Sequence, residues 1–95
     1  MEYLVTMTTL VPDGTAEEAV SEIRGREATR AAELATRGHL VRLWMLPPAP
    51  GSWHALGLWR AEDAGEMQAI LESLPMDKSM TIETTPLTEH PNDPG

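Results

Sequence analysis

No cysteine occurs among the 95 residues, so a disulfide framework, a thiolate nucleophile and a cysteine-ligated metal are all excluded. Positive charge is scarce too: seven Lys and Arg stand against 15 Asp and Glu, for a formal charge of -8. A nucleic acid or an anionic membrane would need a basic footprint, so neither is expected as a partner. No apolar run approaches the length of a membrane span, and Met1-Glu2-Tyr3 opens neither a basic nor a long apolar leader. The chain is therefore read as cytoplasmic. His39, His54 and His90 have no short ligand spacing, and no metal site is expected. A chain of this length makes one domain with a two-layer core, small enough that association would help to bury apolar surface.

Residues 2–10 are rich in Val, Thr, Tyr and Leu and suit a first strand, which Pro12-Asp13-Gly14 ends with turn chemistry. Thr15-Ala16-Glu17-Glu18 has the pattern of a capping box, and a periodic apolar stripe runs from there to Arg37, with Gly38 placed as a left-handed stop. In the second strand, 39–46, Leu40, Arg42, Trp44 and Leu46 alternate with His39, Val41, Leu43 and Met45. Both sides are largely apolar, so both should be covered. The prolines of 47–51 form a stiff connection to a third strand, 52–60, whose faces are Trp53, Ala55, Gly57, Trp59 and His54, Leu56, Leu58. Asp63 to Glu66 can cap a second helix with the stripe Met67, Ile70, Leu71, Leu74, stopped by Pro75. Residues 80–85 supply a fourth strand, and the aperiodic tail from Pro86 is either disordered or laid across a neighbour.

One residue of the long helix breaks its pattern. At about 100° per residue, Ala16, Ala19, Val20, Ile23, Ala31 and Leu34 share a face, and Glu27 falls near the centre of it. Desolvation disfavours a carboxylate and raises its pKa. A carboxyl between helix and core is thus either paired, here with Arg26, Arg30 or another arginine, or poised to accept and return a proton.

The order strand, helix, strand, strand, helix, strand is the split βαβ arrangement of an α+β, ferredoxin-like βαββαβ domain, a four-stranded antiparallel sheet with two helices on one face. Its other face is left open. That face should carry large apolar groups, Trp44 or its strand neighbours together with Trp53 and Trp59, and a homo-oligomer is expected to cover them.

Arg26-Glu27, Glu33-Leu34, Leu43-Trp44, Leu74-Pro75, Ile82-Glu83, Thr85-Pro86-Leu87 and His90-Pro91, in this order and spacing over nearly the whole chain, resemble muconolactone isomerase. The resemblance implies a ferredoxin-like domain over 1–87 with a tail at 88–95, and dimers that build a larger ring, up to a decamer. It implies no metal or organic cofactor and a site near subunit contacts. The reaction it implies is the proton shift that turns muconolactone, an anionic lactone, into 3-oxoadipate enol-lactone. Where the family has a shorter turn and a Tyr-Ala-Asn type of stretch, this chain has the longer 47–51 connection and Trp53-His54-Ala55, which reshapes the pocket wall.

Removing the ring proton vinylogous to the lactone carbonyl gives a dienolate, and returning a proton beside the carbonyl moves the double bond. One base serves both steps, and Glu27 matches the family's Arg-Glu pair in place. A donor near the lactone oxygen is needed as well. His54 is the candidate, provided its strand face points toward the helices; otherwise it is a strand histidine with a satisfied hydrogen bond. An arginine should anchor the substrate carboxylate, Arg26 or Arg42, although Arg26 can equally pair with Glu22 on a solvated face. Trp44 and Trp53 are core or interface residues that could also stack on substrate, and His90 could reach a neighbouring subunit's site. Two other readings stay open: a related isomerase, cyclase or dehydratase acting on a biosynthetic intermediate, and a non-catalytic ligand-binding module.

Overall fold

A computed structural model describes residues 1–10, 14–47, 52–75 and 80–95. Its elements are β1 (Glu2–Leu10), α1 (Glu17–Thr36), β2 (Leu40–Met45), β3 (Ser52–Arg60), α2 (Ala64–Glu72) and β4 (Met80–Leu87). The strands form one antiparallel sheet in the order β2-β3-β1-β4. This is the expected βαββαβ arrangement. The turn at Pro12-Asp13 and most of the 47–51 connection lie outside the described residues.

β1 is central, and its alternation sorts the two sides of the sheet. Tyr3, Val5, Met7 and Thr9 are buried. They meet Leu34 of α1, Met67, Ile70 and Leu71 of α2, and Leu74 just beyond it, with Trp59 and Ala61 completing the core. Helices therefore cover the odd-numbered side of β1. Register carries this choice across the sheet: Tyr3 lies opposite Trp59, Val5 opposite Gly57, Met7 opposite Ala55 and Thr9 opposite Trp53. Trp53 and Trp59 thus stand under the helices, contrary to the expectation that they occupy the open face. Of the three tryptophans, Trp44 is the one that faces outward, opposite Leu56.

β2 departs from simple alternation. Leu40 is opposite Trp59, yet Arg42 is opposite Leu58, so β2 advances two residues for one of β3. Val41 is the extra residue, as in a β-bulge. Leu40, Leu43 and Met45 consequently share the helix side, and Arg42 and Trp44 the open side; the expected grouping of Leu40 with Arg42 and Trp44 is broken there.

Helix ends follow local chemistry. α1 stops in a Schellman motif: His39 N donates to Leu34 O (2.9 Å), Gly38 N donates to Ala35 O (3.0 Å), and Gly38 takes φ +81. Its start is one residue later than the capping box on Thr15 would put it. Ala16 is the N-cap and offers no side-chain acceptor, while Glu17 and Glu18 place negative charge in the first turn, where the helix dipole favours it. In α2, the N-cap Asp63 accepts from Glu66 N (2.8 Å), and the Glu66 carboxylate accepts from the N–H of Glu62, one residue before the cap (3.0 Å). β4 runs on to Leu87 through Pro86, which an edge strand tolerates because one side needs no donor. Beyond it the tail makes a turn closed by Asp93 N donating to His90 O (3.0 Å), beside Glu2 and Leu87. No described helix is long and apolar enough to cross a membrane.

Candidate active site

α1 is most deeply buried toward its C-terminal end, while Val20 near its start is half-buried. Leu34 is its buried residue, Glu27 and Ala31 are half-buried, and Ile23 is 38% exposed. Arg30 strengthens the same end, donating to Ser73 Oγ (3.0 Å) after α2 and to Glu33 (2.9 Å). Ahead of this anchor, helix and sheet form an open-sided cavity of about 530 Å³. α1 lines it with Arg24, Glu27 and Ala31; β2 with Leu40, Leu43 and Met45; β3 with Trp53, Ala55 and Trp59. Met7 and Thr9 of β1, Leu74 and Met80 close it.

The chamber is mostly apolar, and among its described lining residues Arg24 and Glu27 are the ones with a formal charge. Three residues apart on a helix, they project from the same face. The Arg24 guanidinium sits over Trp53, 4.6 Å from the ring centroid, which places a cation at the wall of the chamber. Trp59 adds a neutral donor: its Nε1 is buried and has no hydrogen-bond partner among the described residues.

Several expected site residues lie elsewhere. Arg26 pairs with Glu22 across one helical turn, with both side chains about two-thirds exposed (66% and 63%). Arg42 lies over the Trp44 ring (5.3 Å) on the open side of the sheet. His54 belongs to the cavity wall by position, but its ring points away from it. Nδ1 is 3.3 Å from Thr8 Oγ1 and Nε2 is 3.2 Å from Ser52 Oγ, both side chains of the open side. The condition attached to a catalytic His54, a strand face turned toward the helices, is not met. His90 accepts from Asn92 N (2.9 Å) beside Glu2, at the end of the sheet remote from Thr9 and Met80.

Of the candidates, Glu27, Trp53, Trp44 and His54 border the cavity, the last two from strand positions that belong to the open side of the sheet, and Arg24 is the lining cation that the sequence reading missed. Its signal was present: a cation three residues before the inward carboxyl shares that carboxyl's face, whereas its neighbour Arg26 is turned about 100° away.

The model of the muconolactone delta-isomerase family matches residues 1–93. Muconolactone Delta-isomerase 1 of Acinetobacter lwoffii is 32% identical over 92 residues, which are 97% of this chain and 93% of that protein. A crystal structure of muconolactone isomerase aligns with a TM-score of 0.85 at 21% identity, covering 100% of this chain and 96% of the other. SnoaB, a cofactor-independent oxygenase from Streptomyces nogalater, shares the fold at a TM-score of 0.56 and 21% identity, over 99% of this chain and 98% of its own. On the match across 1–93 and the identity to the Acinetobacter protein, the chain belongs to the muconolactone delta-isomerase family.

Proposed function

We propose that the protein is a cytoplasmic, cofactor-free isomerase that moves a proton within an unsaturated, carboxylate-bearing lactone of the muconolactone type. The observation that carries this reading is the pairing of Glu27 with Arg24 on one face of α1, against an otherwise apolar chamber. Glu27 takes the ring proton vinylogous to the carbonyl; the C–H electron pair moves into the ring as a dienolate. It then returns the proton to the carbon beside the carbonyl, and the double bond has moved with no net gain or loss. Arg24, seated over Trp53, receives the substrate carboxylate. Turnover of muconolactone by the purified protein, followed by its ultraviolet change, tests the reading directly, and an unchanged substrate overturns it.

Arg24 grips a group that does not react, so its contribution is the same in ground and transition states. Arg24→Gln is expected to raise KM for muconolactone about ten- to a hundredfold, the range of a charge-assisted hydrogen bond, with kcat little altered. A fall in kcat at unchanged KM would remove Arg24 from the anchoring role.

Assembly is the second part of the proposal. β2 is an edge strand with Val41, Leu43, Trp44 and Met45 all exposed, and Leu4, Leu56 and Leu58 lie on the uncovered side of the sheet. Unpaired backbone beside apolar side chains favours association with a second copy. The protein is expected to elute as a homo-oligomer, a dimer or larger, at micromolar concentration; a stable monomer there would contradict this.

A further inference from the structure

Buried donors without acceptors are rare in folded proteins, and each one asks what it is for. Trp59 holds such a donor: the residue is 2% exposed and its Nε1 lacks a partner among the described residues. Gly57 shows where the N–H lies. A Cβ built there would run into Trp59 Nε1 and come within 3.4 Å of Leu43 Cδ1. The indole is therefore folded back over β3 toward Leu43 and Ala55, two residues that line the chamber with Glu27. Glycine at 57 is what gives the ring room to lie that way.

We propose that the indole N–H of Trp59 is the hydrogen-bond donor to the lactone carbonyl oxygen of the substrate whose proton Glu27 moves. This rests on the isomerase reading above and supplies the group which that reading lacks once the His54 ring is found on the other side of the sheet. As the proton leaves the ring carbon for Glu27, negative charge develops on the carbonyl oxygen. The N–H shortens its hydrogen bond to that oxygen without giving up its proton, since indole is a donor only. When Glu27 returns the proton to carbon, the carbonyl re-forms and the bond relaxes. An oriented dipole beside largely apolar walls stabilises such charge better than the same group would in water.

Trp59→Phe keeps an aromatic ring in the core and removes the donor. Its kcat on muconolactone is expected to fall about 10²- to 10³-fold, as for loss of one oxyanion donor, with KM little changed. A second measurement needs no variant and no turnover. In nitrogen-15-labelled wild-type protein, the Trp59 indole N–H signal is recognised by cross-relaxation with the Gly57 α-protons. It is expected to move downfield on saturation with the saturated carboxymethyl lactone, which cannot isomerise. Wild-type kcat in Trp59→Phe, or a Trp59 signal that stays in place at saturating analogue, overturns the proposal. Should wild-type protein leave muconolactone unchanged while the Trp59 signal still shifts with the analogue, the donor assignment stands and the isomerase reading falls.

Discussion

Glu27→Gln is expected to lower kcat on muconolactone by about two to four orders of magnitude, the usual contribution of a positioned proton-transfer group. Glutamine matches glutamate in length and keeps a carbonyl oxygen for any hydrogen bond at this half-buried position, so the chamber should retain its shape. What it cannot do is accept a proton at ordinary pH and hand it on. KM should move little, because the substrate's carboxylate is assigned to Arg24 and not to this residue. Glu27→Asp refines the test: it restores a base but withdraws it by one methylene, and a recovery intermediate between glutamine and wild type is expected. Steady-state kinetics on folded protein, checked by circular dichroism, decide the matter. A glutamine variant with undiminished kcat would leave the carboxyl without a chemical role.

Leu34→Ala carries the largest expected effect on stability. Leu34 is 1% exposed and is the buried residue by which the 20-residue α1 holds the sheet. Truncating such a leucine removes its transfer free energy and leaves a cavity, together about 2–5 kcal/mol. For a domain of this size each kcal/mol lowers Tm by roughly 4–8 °C. Ile23→Ala, on the same stripe but 38% exposed, is the control and should cost far less. Denaturant unfolding of both variants measures the contrast. Near-equal losses would mean that α1 is fastened along its length, and the chamber in front of Leu34 would then lack its structural explanation.

Much of this domain could be read from residue order because the governing forces are local. Gly38 after a periodic stripe, and Asp63 three residues before Glu66, mark helix ends through bonds made within a few residues. Glu27 was found the same way, since helical rotation alone puts it on the inner face. Which side of the sheet the helices cover is different in kind. It is settled when Tyr3 aligns with Trp59, 56 residues apart in the chain by numbering, and no window of local sequence contains that pairing. The misassignments of Trp53, Trp59 and His54 all descend from this one choice. Arg42 and Arg26 failed for separate reasons: the first is on a strand face turned outward, the second has a nearer carboxylate in Glu22. Orphaned polarity at Trp59 had no signature beyond a glycine two residues earlier.

The surplus residue in β2 has a chemical consequence out of proportion to its size. Were Val41 paired with Leu58 as an ordinary ladder residue, with no bulge after Leu40, side chains beyond it would exchange sides. An arginine and an indole would then be driven between sheet and helix, while Leu43 and Met45 turned outward. The hollow would gain a second guanidinium, draw in solvent and blunt any proton donor or acceptor within it. The bulge at Val41 thus sets the polarity of the medium in which Glu27 works.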